Sequence, residues 1–184
     1  MNAVISLVGL CGSGKTEVLK IFSRLGYFTL SVGNVVDEEL LRKNIPLTEL
    51  NRKRMRGELH KLYGKDALVF LLFERIEKQL ETNSVVIDGM YSWDEYKSLE
   101  GRFSGRLTLV AIHCPKELRR KRLESRNVRP LNFEQMTARD YFELEAMNKG
   151  GPIAIADYMI INDGTIDELG KKIDILKNKI GGEN

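Results

Sequence analysis

Near the start of the chain, Gly9-Leu10-Cys11-Gly12-Ser13-Gly14-Lys15-Thr16 reads G-x-x-x-x-G-K-T. It follows the apolar run Val4-Ile5-Ser6-Leu7-Val8 and precedes a stretch, Glu17 to Leu25, with helical spacing. Strand, glycine loop and helix in that order make a phosphate cradle. The glycines let successive backbone N–H groups point at one spot, and the helix N-terminus adds partial positive charge there. The Lys15 ammonium is placed to neutralise the β/γ-phosphates, and the Thr16 hydroxyl to bind Mg²⁺. Gly9, Cys11, Gly12, Ser13, Gly14, Lys15 and Thr16 are thus the candidate nucleotide-binding residues. A glycine-rich turn with a chance lysine is the competing reading, and the flanking strand and helix disfavour it. The motif fixes a donor site; what receives the phosphate must come from elsewhere.

The chain has 184 residues, one domain's worth, with 42% hydrophobic and 30% charged residues. Its net charge of +3 does not indicate a wholesale nucleic-acid binder. Two cysteines, Cys11 and Cys114, and two histidines, His60 and His113, are scattered, so neither a disulfide framework nor structural zinc is expected. Cys11 opens a loop like that of a cysteine phosphatase, but the required arginine six positions on is Glu17. The N-terminal apolar run lacks a basic leader, and no apolar stretch reaches 18 residues. A cytoplasmic protein without a membrane partner is the expectation.

Along the chain, a first helix runs from Lys15 to Arg24 and Tyr27–Ser31 is a short strand. Gly33–Arg42 reads as a helix ended by Asn44-Ile45-Pro46, and Thr48 caps a third that stops at Gly64. Asp66 opens a fourth helix carrying Val69, Leu72, Phe73, Ile76 and Leu80 at helical spacing. Ser84–Asp88 reads as a buried parallel strand, Ser92 and Glu95 as a capping box, and Arg106–Ile112 as another strand. A basic helix follows Pro115, Asn132 caps a helix to about Asn148, and Gly150-Gly151-Pro152 is a hard break. Tyr158–Ile161 is a last strand; Thr165 and Glu168 cap a C-terminal helix to about Lys179, with a frayed tail from Gly181. Five apolar strands alternating with helices predict an α/β fold, a three-layer α/β/α sandwich on a five-stranded parallel sheet. Ligands then bind outside the C-terminal strand ends, where Gly9, Asp88, His113 and Asn162 fall.

Three constellations carry chemistry. Asp88 closes a buried Val-Val-Ile strand, as a Walker B aspartate does when it holds Mg²⁺; the plainer reading is a turn, since Asp88-Gly89 is also a turn dipeptide. Arg119 to Arg129 holds six Lys/Arg in eleven residues with one acid, Glu124. Such a run is often a solvated face, but phosphoryl transfer is catalysed by positioning and charge, and a following helix with Arg139-Asp140 suits a lid that excludes water. The helices between the second strand and the Asp88 strand carry Arg42, Arg52, Arg54 and Arg56, where an acceptor flap would sit; exposed solubilising charge explains them equally.

Together the phosphate loop, Val85-Val86-Ile87-Asp88-Gly89, the basic helix and Ala156-Asp157-Tyr158-Met159-Ile160-Ile161-Asn162-Asp163-Gly164 resemble the nucleoside monophosphate kinase superfamily of P-loop kinases. The nearest likeness is to uncharacterised archaeal-type proteins related to adenylate kinase and dephospho-coenzyme A kinase, over nearly the whole chain. The resemblance implies a single P-loop kinase domain over residues 1–184, with an acceptor flap at about 33–64, a lid at about 119–148 and Mg-ATP as donor. Carried over, Lys15 and the loop amides hold the β/γ-phosphates, and Thr16 and Asp88 organise Mg²⁺. Arg122 and Arg126 belong to the lid, one near the adenine and one near the phosphates, with Arg139 at its far end. Asn162 lies near the adenine.

Two departures stand out. Related kinases have Gly-Asp-x-x-Arg after the second strand and Asp-Gly-x-x-Arg or Asp-Gly-x-Arg after the third, each arginine gripping an acceptor phosphate. Here the stretches are Gly33-Asn34-Val35-Val36-Asp37 and Asp88-Gly89-Met90-Tyr91. Each lost charge-assisted contact weakens phosphate binding by on the order of 1.5–3 kcal/mol unless another arginine substitutes. Asp37, Arg42, Arg54 and Tyr91 are therefore the candidate acceptor residues. The leading expectation is an ATP- and Mg²⁺-dependent kinase for a nucleotide- or nucleoside-like small molecule. A nucleotide-sensing module that binds or slowly hydrolyses ATP is the alternative. A nucleic-acid-end kinase is the weakest, because the basic run lacks interleaved aromatics beyond Phe133.

Overall fold

The computed structural model describes residues 2–90, 92–127 and 129–182. Five parallel strands form one sheet in the order β2-β3-β1-β4-β5: β1 Val4–Val8, β2 Phe28–Ser31, β3 Val85–Asp88, β4 Leu107–His113 and β5 Tyr158–Ile161. The chain order reverses on either side of β1, so the loop after β1 opens at a topological switch point. Register aligns the strand ends there: Leu7 and Ser31 both pair with Asp88.

Side-chain alternation splits the core into two layers. Val4, Val85, Ile87, Leu109 and Ala111 face one layer; Ile5, Leu7, Val86, Val110 and Ile112 face the other. The second layer is closed by α1 (Lys15–Arg24), through Val18 and Phe22, and by α10 (Ile166–Gly182), through Leu169, Ile173 and Leu176. The first layer is covered by α2 (Val32–Arg42), α3 (Glu49–Tyr63), α4 (Ala67–Phe70), α5 (Phe73–Leu80) and α6 (Trp93–Phe103). The expected three-layer α/β/α sandwich on a parallel sheet is what the chain forms. Both capping boxes form, at Ser92/Glu95 and at Thr165/Glu168. Among the described residues, no helix is long and apolar enough to cross a membrane.

The fold differs from the sequence reading in four places. The single helix expected after Asp66 is two, joined where Leu72 N–H bonds back three residues to Val69. This tighter turn bends the chain so that Leu68, Val69, Leu72 and Ile76 all reach one core. The helix expected from Asn132 to Asn148 ends at Tyr141 as α8 (Phe133–Tyr141) and continues as a π-helical turn over Phe142–Ala146. Gly150-Gly151-Pro152 is no break but part of α9 (Gly150–Ala154). Pro152 is tolerated in a first turn, and Gly151 lies so close to the Trp93 ring that a Cβ would come within 2.6 Å of it. Gly181 and Gly182, expected in a frayed tail, continue α10; the rest of that tail, Glu183 and Asn184, lies outside the described residues.

Helix α7 (Lys116–Ser125) is fastened to α8 by a buried pair: Arg119 Nη1 and Nη2 donate to Asp140 Oδ1 and Oδ2 at 2.8 and 2.7 Å. Asp140 holds the Arg119 guanidinium above its ordinary range, outweighing the burial that opposes it. Removing one partner leaves an uncompensated buried charge. Asp140→Ala is expected to lower unfolding free energy by about 3–5 kcal/mol in urea titrations.

Candidate nucleotide-binding site

In the loop between β1 and α1, Ser13 N–H donates to Leu10 O at 3.1 Å, and side chains supply donors to several of the loop carbonyls. Lys15 Nζ donates to Gly9 O at 2.7 Å and Leu10 O at 3.3 Å. Arg119 Nη1 donates to Cys11 O at 3.1 Å, and Asn162 Nδ2 to Ser13 O at 2.9 Å. Gly9 and Gly14 have positive φ, 151° and 96°. A Cβ on Gly9 would overlap the Ile112 carbonyl, and one on Gly14 the Asn162 amide nitrogen. Here glycine is required for close approach as well as for conformation.

Cys11, Gly12, Gly14, Lys15 and Thr16 line a cavity of about 430 Å³ together with Glu17, Asp88, Arg122, Arg126, Arg139, Glu143 and Lys149. Five cations face three carboxylates there, so the cavity is cationic. A smaller recess of about 180 Å³ lies between Arg122 and the turn Asn162, Gly164, Thr165. A larger one of about 840 Å³ adjoins the first, and the two share Cys11, Thr16, Ser31, Asp88, Arg126 and Arg139. Asp37, Arg52, Arg56, Glu49, Arg129 and Gln135 are among the groups lining the large cavity.

Asp88 closes β3 and is almost fully buried. Burial pushes its carboxyl above the ordinary aspartate range, against the opposing pull of Lys15, the Gly89 amide and Lys149. Its Oδ1 is buried and accepts no hydrogen bond from any described residue. Such an orphaned oxygen at the mouth of a phosphate loop fits a cation ligand better than a turn cap.

Most candidate residues converge. Lys15, Thr16, Asp88, Arg122, Arg126 and Arg139 line one cavity, and Asp37 lines the adjoining one. Arg42 and Arg54 do not join them. Arg42 is exposed and paired with Glu39 at 2.7 Å, and Arg54 is exposed on α3. The helical phase of α3 turns Arg52 and Arg56 to the cavity instead. Arg52 grips Asp37 with two bonds, at 2.6 and 3.0 Å, so the acid and the arginine form one unit. Tyr91 lies outside the described residues. Asn162 is buried; its side-chain Nδ2 donates to Ser13 O, and its backbone carbonyl accepts from Arg122 Nη1 at 3.1 Å. It locks the loop.

The basic run divides by role. Arg119 is buried in its pair with Asp140, and Arg120 is tied on the surface to Glu117 and Glu124. Arg122 and Arg126 reach the cavity, while Arg129 pairs with Glu49 of α3 at 2.5 Å across the larger one. Glu143 and Lys149 went unnoticed in the sequence. The π-helical turn brings Glu143 inside, and Lys149, six residues on, meets it at 2.9 Å. Their i, i+6 spacing flags no pair, although Glu143 stands four residues after Arg139, whose Nε it meets at 2.8 Å.

Two measurements probe this geometry. Gly14→Ala combines a left-handed backbone cost of about 1–2 kcal/mol with displacement of Asn162, and is expected to lower the melting temperature. Asp88→Asn is expected to raise it at pH 7, because an acid whose pKa is raised on folding costs stability once ionised. That cost disappears as the carboxyl protonates, so the melting difference should close as pH falls to about 4.

Comparison with known proteins agrees with this architecture. A family model described as an AAA domain matches residues 5–148. A UPF0200 protein of Thermococcus gammatolerans is 35% identical over 181 residues, covering 96% of this chain and 95% of its own. Among solved structures, shikimate kinase from Aquifex aeolicus aligns over 96% of this chain and 97% of its own, with TM-score 0.58 and 22% identity. A gluconokinase from Sinorhizobium meliloti aligns over 92% and 87%, with TM-score 0.58 and 17% identity. At these identities the likeness is one of fold, the α/β fold of P-loop kinases. The matched residues and the shared architecture place the chain in the AAA-domain family of that model and in the UPF0200 family.

Proposed function

We propose that this protein is an ATP- and Mg²⁺-dependent phosphotransferase acting on a small-molecule acceptor. The observation that carries the reading is the junction of two cavities, one holding the phosphate loop and one holding Asp37, Arg52 and Arg56, at Thr16, Asp88, Arg126 and Arg139. A binder of nucleotide alone needs the first cavity; a transferase needs both and a shared wall between them.

In this reading Lys15 and the loop amides hold the β/γ-phosphates and Arg122 borders the base recess. Thr16 and Asp88 would hold the Mg²⁺ ion, which would supply neutralisation of the phosphate charge when bound. The acceptor oxygen attacks the γ-phosphorus, the bond to the β–γ bridging oxygen breaks, and ADP leaves. Arg126 and Arg139, on the shared wall, balance the charge that develops. The segments at about 33–64 and 119–148 serve as acceptor flap and lid, linked here by Glu49 and Arg129.

The acceptor side differs from that of a nucleoside monophosphate kinase. Where such kinases place a phosphate-gripping arginine, Asp37 holds Arg52, so the pair presents an oxygen acceptor beside a guanidinium. An acceptor with a hydroxyl for Asp37 and an anionic group for Arg52 and Arg56 satisfies it, and a nucleotide or nucleotide-like molecule has both. The resemblance of the motifs to those of adenylate kinase and dephospho-coenzyme A kinase supports the same choice.

The Asp37–Arg52 bonding also favours a second reading, a nucleotide sensor, since Arg52 is further occupied by Leu47 O and Glu49. Labelled ATP with a panel of nucleosides, nucleotides and dephospho-coenzyme A separates the two. Transfer to one acceptor, abolished by Lys15→Met, is expected. Arg52→Met should cost about 1.5–3 kcal/mol, seen as a ten- to hundredfold rise in acceptor KM with ATP KM nearly unchanged. Slow hydrolysis alone, with no acceptor labelled, would establish the sensor.

A further inference from the structure

We infer that Lys149 is a second lysine that contacts the transferred phosphoryl group, held in place by Glu143. The inference rests on the phosphotransfer reading and assigns a residue that none of the sequence motifs contains.

Lys149 is 1% exposed and lines the same cavity as Lys15 and Asp88. Its ammonium meets Glu143 Oε2 at 2.9 Å, while Glu143 Oε1 accepts from Arg139 Nε at 2.8 Å. Glu143 is itself 1% exposed. One buried carboxylate is thus divided between two cations on one wall of an already cationic cavity. Burying an ammonium is costly, and a pair of this kind is seldom a better source of stability than apolar side chains of the same volume. A pair in the core could be explained by packing alone; this one faces the cavity that holds the phosphate loop. Burial pushes the Lys149 ammonium down from its ordinary range and Glu143 restores part of the loss, while Lys15 and Arg139 add repulsion. A dianionic phosphoryl group entering between Lys15 and Lys149 relieves that repulsion. The charge of Lys149 also reaches Asp88, the candidate Mg²⁺ ligand.

The local backbone serves this placement. The π-helical turn presents Glu143 inward, and Lys149 N–H returns to Glu143 O at 3.1 Å, so both residues are set by one short loop. Single-turn π-helices recur at functional sites, where they re-aim side chains that a regular helix would carry past. Glu143 is the positioning residue: it aims Lys149 and Arg139 together. Lys149 supplies a further cation in the cavity that the phosphate loop lines, for the negative charge that spreads over the phosphoryl oxygens in the transition state.

The test needs no knowledge of the acceptor. Magnesium, ADP and aluminium fluoride together mimic a phosphoryl group in transfer, and calorimetry compares that complex with MgADP alone. Lys149→Met should weaken the aluminium fluoride complex at least tenfold and MgADP less than threefold, and Lys149→Arg should recover most of the loss. Lys149→Met strands Glu143, so the double variant Glu143→Gln with Lys149→Met, which removes both charges, is measured beside it. If the pair is only structural, the double variant binds the fluoride complex as wild type does, and the inference falls. Equal weakening of both complexes overturns it too. Wild-type protein that binds no MgATP or MgADP would instead defeat the phosphotransfer reading itself.

Discussion

A tight loop leaves buried backbone carbonyls that need donors, and between β1 and α1 side chains supply several of them. This requirement organises much of the molecule. Gly9 and Leu10 are satisfied by Lys15, Cys11 by Arg119 from α7, and Ser13 by Asn162 from the end of β5. The donors come from three separate parts of the chain. Each in turn needs an anchor: Arg119 has Asp140 of α8, and Asn162 has Arg122 of α7. The loop therefore binds the sheet, α7 and α8 into one body, and its geometry is shared with the elements around the cavity.

This bonding explains why a run of six cations does not act as a single patch. Spaced along one helix, they meet different surroundings. Arg119 is taken by the core, Arg120 by surface acids, and Arg122 and Arg126 by the cavity; Arg129, beyond the helix end, crosses to Glu49. The cavity's positive field is assembled from four stretches of chain: Lys15, the α7 pair, Arg139 and Lys149. Carboxylates at Asp88 and Glu143 temper that field and fix where its centres stand.

Much of the architecture was legible because it depends on local signals. Short continuous apolar runs named the strands, glycine and proline marked most helix ends, and both capping boxes formed where the spacing put them. The misreadings have a common cause. Gly150-Gly151-Pro152 looks like a break, but Gly151 is there because the Trp93 ring leaves no room for a side chain. The split after Phe70 and the π-helical turn after Tyr141 carry no breaker residues. They arise where core packing or a buried ion pair outweighs the regular helix.

The loop side of the site is in the sequence because backbone, lysine and one strand-end aspartate stand at fixed spacing. Gly9 to Thr16 and Asp88 could be placed without coordinates. The side around Asp37 is not, because it depends on helical phase and on distant pairing. Nothing in the order of residues says that Arg52, and not Arg54, faces Asp37, or that Asn162 is spent on the loop. Least of all does it say that Glu143 and Lys149 meet inside the cavity. Local sequence determined the glycine loop, its lysine and the aspartate beside it. Only the tertiary structure decided which charges stand around it, since each of those charges is set by a contact between segments far apart in the chain.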